Sequence, residues 1–245
     1  MRNVRFVATT ALLLPLAGCG VYGLPNGATQ QAQTMHLDWV VFSDAGLVVA
    51  VLLFALIIAP LILWRRRSDA YPPQFNRNNR WEIAYTGIPL LMVIGLFAFT
   101  FWDEEIVERI TAHPANTVDV VGFQWSWRFH YHNTNIDVVG TPQSPPQLVL
   151  PVDETTRIDL TSSDVNHAFW IPAFLFKRDA IAGISNHFDL QPTRLGVYRG
   201  VCAEFCGLDH ALMSFTVRVV SRGDFARWLR NGGSSAILSA KGASL

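Results

Sequence analysis

The sequence predicts a two-helix transmembrane hairpin followed by an all-β sandwich or barrel. Three observations predict it. Two runs of twenty residues, 45–64 and 83–102, contain no charged side chain. After Trp102 the chain breaks into short β-rich runs bounded by Pro, Gly, Asn and Asp, at the spacing of a small sandwich or barrel. Half of the 245 residues are hydrophobic, yet they collect in three runs near the N-terminus. That distribution points to membrane segments and away from an oversized soluble core. The formal net charge is zero, so no basic stripe is available to replace phosphate counterions, which argues against nucleic acid as a partner.

The elements follow in order. Residues 1–18 read as a signal peptide, with Arg2 and Arg5 as a positive start and an apolar stretch over 6–16. The string Leu16-Ala17-Gly18-Cys19 resembles a bacterial lipobox, in which the thiol of Cys19 is acylated and becomes the mature N-terminus. Residues 19–44 then form a segment outside the cytoplasm. Each apolar run, at about 1.5 Å of rise per residue, reaches roughly 30 Å, the thickness of the hydrocarbon core. Trp39, Trp64, Trp81 and Trp102 mark the ends, where indole rings favour the interface. The connector, 65–82, carries Arg65, Arg66, Arg67, Arg77 and Arg80, whereas 20–44 holds no Lys or Arg. The positive-inside rule places that connector in the cytoplasm and the rest of the chain on the outer face of a bacterial plasma membrane. Glu82, at the mouth of the second span, reads by itself as a helix end-cap.

Residues 103–230 are expected to form the outer domain. Its strands are placed at 118–131, 147–151, 157–161, 167–171, 185–190, 196–201 and 212–220, and a short helix around 224–229 closes it. The last residues, 231–245, are rich in Gly, Ser and Ala and are expected to lack structure.

The densest chemistry is Cys202-Ala-Glu-Phe-Cys206-Gly-Leu-Asp-His210-Ala-Leu-Met213, with His167 upstream. A disulfide between Cys202 and Cys206 leaves His210 and Met213 unexplained. Zinc accepts thiolates and imidazoles but has little use for a thioether. Copper suits soft sulfur with imidazole and is the best supported of the three. A blue-copper centre uses one Cys; two thiolates can bridge two coppers. One imidazole then caps each metal, with Met213 and the backbone carbonyl of Glu204 as weak axial donors. No open coordination position is evident, which indicates electron relay without substrate chemistry.

This motif resembles the dinuclear copper A site of the cytochrome c oxidase subunit II family. The resemblance covers both spans, the outer domain and, in one bacterial branch, the lipobox; Phe176-Lys177-Arg178-Asp179 looks most like actinobacterial members of aa3-type haem-copper oxidases. It implies a cupredoxin-like Greek-key barrel or sandwich and a subunit that passes electrons from cytochrome c to haem in subunit I, where oxygen is reduced and protons are pumped. It further implies that Trp125, in Gly122-Phe123-Gln124-Trp125-Ser126-Trp127, receives the electrons, and that Trp127 belongs to the core. The Glu204 side chain would touch a magnesium ion shared with subunit I. Glu82 would stand at the entrance of a proton channel in subunit I, which reverses the end-cap preference. Subunits I and III are the implied partners. The donor is a cytochrome c, by the actinobacterial likeness a membrane-bound dihaem cytochrome c of a bc complex. His130 stands where the family often has an acid, which leaves Asp164 as the docking residue. His36, His113, His130, His132 and His187 read as surface or satisfied core groups. The rival function is a membrane-anchored copper chaperone or thiol oxidoreductase of the Sco type, which would show alternating helices and strands and a His after the cysteines.

Overall fold

The computed structural model of the chain describes residues 23–24, 27–65, 71, 74, 76–234, 236 and 238. Cys19 and the signal peptide lie outside the described residues, as do Arg66 and Arg67 of the connector. The chain divides into two compact units, one of 1–24 with 37–104 and one of 25–36 with 105–245.

The first unit is helical. Helix α1 runs Gln30–Leu63 and α2 runs Asn79–Val107, with Pro60 and Pro89 inside them. None of the most apolar window of either helix is buried in protein. Helices that are apolar all round and unburied present the surface that lipid covers. Both helices outrun the uncharged runs. At about 1.5 Å per residue α1 spans roughly 50 Å, well beyond the hydrocarbon core. Its first residue is Gln30 rather than Ala45 because no Gly or Pro interrupts 30–44. The side-chain oxygen of Thr29 caps it, accepting from the Ala32 N–H at 3.0 Å. Helix α2 carries on through Asp103, Glu104 and Glu105 to Val107, so the acidic cluster finishes the helix instead of opening the outer domain.

The second unit is an all-β sandwich of two five-stranded sheets. The strands are β1 (Asn116–Phe123), β2 (Ser126–Tyr131), β3 (Asp137–Val139), β4 (Gln147–Pro151), β5 (Thr156–Ser162), β6 (His167–Ile171), β7 (Phe176–Ala180), β8 (Asn186–Leu190), β9 (Gly196–Cys202) and β10 (Ser214–Val220). One sheet has the order β3-β2-β1-β5-β8 and the other β4-β10-β9-β6-β7. The chain crosses repeatedly from one sheet to the other, in the manner of a Greek key, and leaves two parallel pairs, β1 with β5 and β4 with β10. The run expected as one strand over 118–131 is a hairpin, with Phe123 opposite Ser126 and Gln124 and Trp125 at its tip. Strands β3 and β7 were not expected.

Alternation puts one face of each strand into a shared core. Val118 and Val120 of β1, Ile158 and Leu160 of β5, and Val217 of β10 are fully buried. Trp127 stands edge-on to Phe169 and Phe215, with ring centroids 5.6 and 5.5 Å away, and those two rings stack at 4.7 Å. Such aromatic contacts add about 0.5–1.5 kcal/mol each beyond area burial. Tyr131 fastens the two sheets, its hydroxyl donating to the Val149 carbonyl at 3.0 Å and accepting from the Val149 N–H at 2.7 Å. Burial lifts that phenol well above the ordinary tyrosine range. Helix α3 (Arg222–Arg230) is capped by Ser221 and packs Trp228 edge-on to Tyr131 at 4.8 Å. Just beyond α3, the Gly233 N–H donates to Trp228 at 3.0 Å, and Leu238 is 7% exposed; these residues lie in the tail expected to lack structure.

Residues 25–36, which include the first turns of α1, belong to this unit. The Ala28 N–H donates to the Ala173 carbonyl and the Thr193 N–H to the Ala28 carbonyl, each at 2.9 Å. Gln31 donates to the Asp189 carbonyl at 3.1 Å. Asp189 itself is buried, paired with Arg157 and bonded by the Thr111 N–H at 2.7 Å. Residues 28–32 and the chain after α2 are thus anchored through β8 and the turn beside it.

Candidate metal centre

The sequence string that holds most of the donors folds as the connection from β9 to β10. Cys202 ends β9, Met213 precedes β10, and the Cys202 N–H donates to the Met213 carbonyl at 2.9 Å, closing the base of the loop. His210 begins a single 3-10 turn within it. The other donor, His167, opens β6, which pairs with β9; the Ala203 N–H donates to the Ala168 carbonyl at 3.0 Å and sets the two segments side by side.

These elements bring together the five side chains that the sequence picked out. Nδ1 of His167 lies 3.9 Å from Sγ of Cys202, which lies 3.9 Å from Sγ of Cys206. Cys206 Sγ is in turn 3.5 Å from Nδ1 of His210 and 3.7 Å from Sδ of Met213. The carbonyl of Glu204 approaches Cys202 Sγ at 3.2 Å, while the Glu204 side chain is exposed. The ligand atoms of His167, Cys202 and Cys206 lie within 4.8 Å of one another. Both thiols are free, and both are buried along with His167 and Met213.

The electrostatics separate the two thiols. Burial alone would raise Cys202, but hydrogen bonds with His167, with the backbone at Ala168 and Glu204 and with Cys206 outweigh it and bring the thiol down to about 7. Burial raises Cys206, and the neighbouring Cys202 and Asp164 charges raise it further, to about 12. Burial opposes protonation of His167, yet its bonds to Cys202 and Asp164 prevail and raise it above the ordinary imidazole value.

Asp164 sits where the sequence put a docking residue, but it has structural work as well. Its Oδ1 takes Nε2 of His167 at 2.9 Å and its Oδ2 accepts from the Gln124 N–H at 2.7 Å. A carboxylate on Nε2 fixes the tautomer that leaves Nδ1 free to face the thiols, as partners of metal-ligating histidines do. Burial raises this carboxyl, but the bonds from Gln124 and His167 outweigh it and leave it below the usual carboxylate value. The Gln124 side chain and the indole of Trp125 both donate to the Cys206 carbonyl, at 2.8 and 3.1 Å. Trp125 is therefore half-buried against a ligand residue, and Trp127 is buried with its ring 6.0 Å from that of His167. Gln124 was missed from sequence; only the hairpin tip, which lacks a Gly or Asn turn signal, reveals it.

Two thiols, two imidazoles, a thioether and a carbonyl suit copper. Structural zinc takes four ligands from Cys, His and carboxylates, whereas mixed thiolate, thioether and imidazole donors select copper. Glu82 lies in the first turn of α2, where its carboxylate accepts from the Asn78 N–H at 3.2 Å.

Residues 143–220 match the family described as "Cytochrome C oxidase subunit II, periplasmic domain". A probable cytochrome c oxidase subunit 2 of Streptomyces avermitilis is 36% identical, over 94% of this chain and 87% of its own. The cytochrome c oxidase subunit 2 of Corynebacterium diphtheriae is 30% identical, over 89% of this chain and 81% of its own. Among solved structures, the periplasmic domain of subunit II of cytochrome oxidase (CoxB) of Bradyrhizobium japonicum matches at a TM-score of 0.46 and 32% identity, over 50% of this chain and 96% of that one.

Proposed function

The chain belongs to the cytochrome c oxidase subunit II family, and we propose that its thiol-imidazole cluster is a dinuclear copper A centre. It is the membrane subunit of a haem-copper oxidase that takes electrons from cytochrome c for the reduction of oxygen in subunit I. The observation that carries the copper assignment is the convergence of five side-chain donors, four from the loop 202–213 and His167 from β6, with Trp125 bonded to the carbonyl of Cys206. His167, Cys202, Cys206, His210 and Met213 would hold the copper, with the Glu204 carbonyl beside Cys202. Bound copper supplies a one-electron couple.

The chain's own residues do the rest. The loop closed at its base by Cys202 and Met213 fixes the donors before metal arrives, so little rearrangement accompanies binding. Asp164 holds the His167 ring and the hairpin tip together. Trp125 places its indole one hydrogen bond from the carbonyl of Cys206, a direct link from the hairpin tip to a ligand residue. Around it Phe205 and Leu208 are exposed, an apolar surface for a cytochrome c to meet. Acids outnumber bases eleven to eight over 119–224, a weak steering field for a basic donor, and Asp164 adds its charge at the rim.

Glu204 offers its exposed carboxylate to a magnesium ion shared with subunit I. Glu82 serves the proton-channel entrance of subunit I, and subunit III completes the assembly. The donor is the membrane-bound dihaem cytochrome c of a bc complex. Cys19 carries the lipid anchor on the outer face. The Sco-type alternative calls for alternating helices and strands, whereas the described residues of the outer unit form ten strands and a closing helix.

The test uses the full chain in detergent, loaded with copper. A spectrum of one unpaired electron shared over two coppers, lost in Cys202→Ser and in Cys206→Ser, is expected. A single-copper spectrum, or thiols that only cycle to a disulfide, overturns the assignment.

A further inference from the structure

The outer face of the other sheet gathers histidines and carboxylates that the copper centre does not use. Alternation turns Asp119 of β1, His130 of β2, Asp159 of β5 and His187 of β8 away from the core. The register sets them in one row: His130 opposite Asp119, Asp119 beside Asp159, and Asp159 opposite His187. His132, just past β2, reaches back to the same place, its Nε2 lying 2.7 Å from Asp119 Oδ1. On the far side Nδ1 of His187 meets Asp159 Oδ1 at 2.8 Å.

Like charges side by side on neighbouring strands are unfavourable. Arg128 and Arg157 offset part of this, acting on Asp119 and Asp159 respectively, while their own hydrogen bonds go to Asp137 and to the buried Asp189. What bonds the two carboxylates directly is imidazole. One ligand atom each from Asp119, His132 and Asp159 lies within 4.8 Å of the others, close enough to share one cation. Their side chains remain partly open to solvent, at 39%, 41% and 26%, so an ion has a path in.

We propose that Asp119, His132 and Asp159 form a second metal site for a divalent transition ion, with zinc the ion best matched to it. Imidazole with carboxylate suits zinc and copper(II), while magnesium and calcium prefer all-oxygen shells. Without a thiolate or thioether the site has no preference for copper(I), unlike the loop 202–213. His187 holds the Asp159 carboxylate from behind, the part that outer hydrogen bonds play around metal ligands. The site needs three strands in register, which is why His132 and His187 read as unrelated surface groups in the sequence. The proposal does not depend on the copper reading, since it shares no residue with that loop.

Zinc titration of the copper-loaded full chain in detergent, against a competing chelator, tests it, with zinc-edge X-ray absorption as the second readout. One zinc per chain with a shell of nitrogen and oxygen only is expected. Asp119→Asn and His132→Gln should each weaken it by about tenfold or more, while the copper spectrum stays intact as the check on folding. A sulfur-containing shell would assign the zinc to the thiol loop and overturn the proposal. So would affinity that is unaltered in both variants, or no zinc held at all.

Discussion

Asp164 carries two duties through two oxygens, and they can be separated by measurement. One oxygen orients His167 and the other holds the Gln124 N–H, while a side chain that is 31% exposed leaves it visible to a partner. Removing an outer hydrogen-bond partner of a metal-ligating histidine typically weakens metal binding by about 10–100-fold. Asp164→Ala should therefore lower copper affinity by that factor in a chelator competition. A variant that keeps wild-type copper affinity and changes only the salt dependence of reduction by cytochrome c would make docking the whole of its role. Nothing in the residue pattern hints at the orienting duty. Asp164 stands three positions before His167, and only the turn before β6 folds the carboxylate back onto the ring. The five donors were legible for the opposite reason: four of them fall within one short string, and their chemistry is specific whatever the fold around them.

At the scale of elements, the site is a loop pressed against a hairpin tip, and Gly207 is where they touch. Its φ of +120° is a conformation that side chains rarely adopt. A Cβ there would stand 3.1 Å from Nε2 of Gln124 and 3.1 Å from Nε1 of Trp125, the two donors to the Cys206 carbonyl. Gly207→Ala should destabilise the copper-loaded chain by about 1–3 kcal/mol, read by thermal unfolding, and slow copper reduction by cytochrome c as the indole is pushed away. Unchanged melting with unchanged reduction would mean that the tip is not coupled to the loop. This hairpin was the least legible element of the fold. Gln124-Trp125 carries no turn signal, so one unbroken β pattern hid two strands. β3 is only three residues long, and β7 reads Phe-Lys-Arg-Asp-Ala, too charged to look like a strand until its partner β6 is in place. The longer strands were legible because their period-two pattern is local; partners and registers are not.

At the scale of the whole molecule, the sequence makes its firmest statement through charge asymmetry. Five arginines lie between the two apolar runs and none precedes the first from residue 20 onward; an asymmetry of that kind sets orientation. Less legible was the destination of residues 25–36 at the start of α1, because polar side chains such as Gln31 reveal nothing of the backbone they will meet in β8. The orientation has a direct consequence for labelling by a membrane-impermeant maleimide. Asn76 lies in the connector and is exposed, and Val139 lies in β3 and is 58% exposed. Val139→Cys should label in intact spheroplasts, and Asn76→Cys only in inside-out vesicles. The parent chain is its own control: the copper-site thiols are buried, so labelling of the parent in spheroplasts would report a free Cys19 and count against acylation. Because a single lipid chain holds a protein only marginally, the two spans must supply the anchoring whatever the state of Cys19. Both positions labelling from the same side would refute the crossing itself, and the reversed pattern would put the copper loop on the cytoplasmic face, out of reach of an external cytochrome.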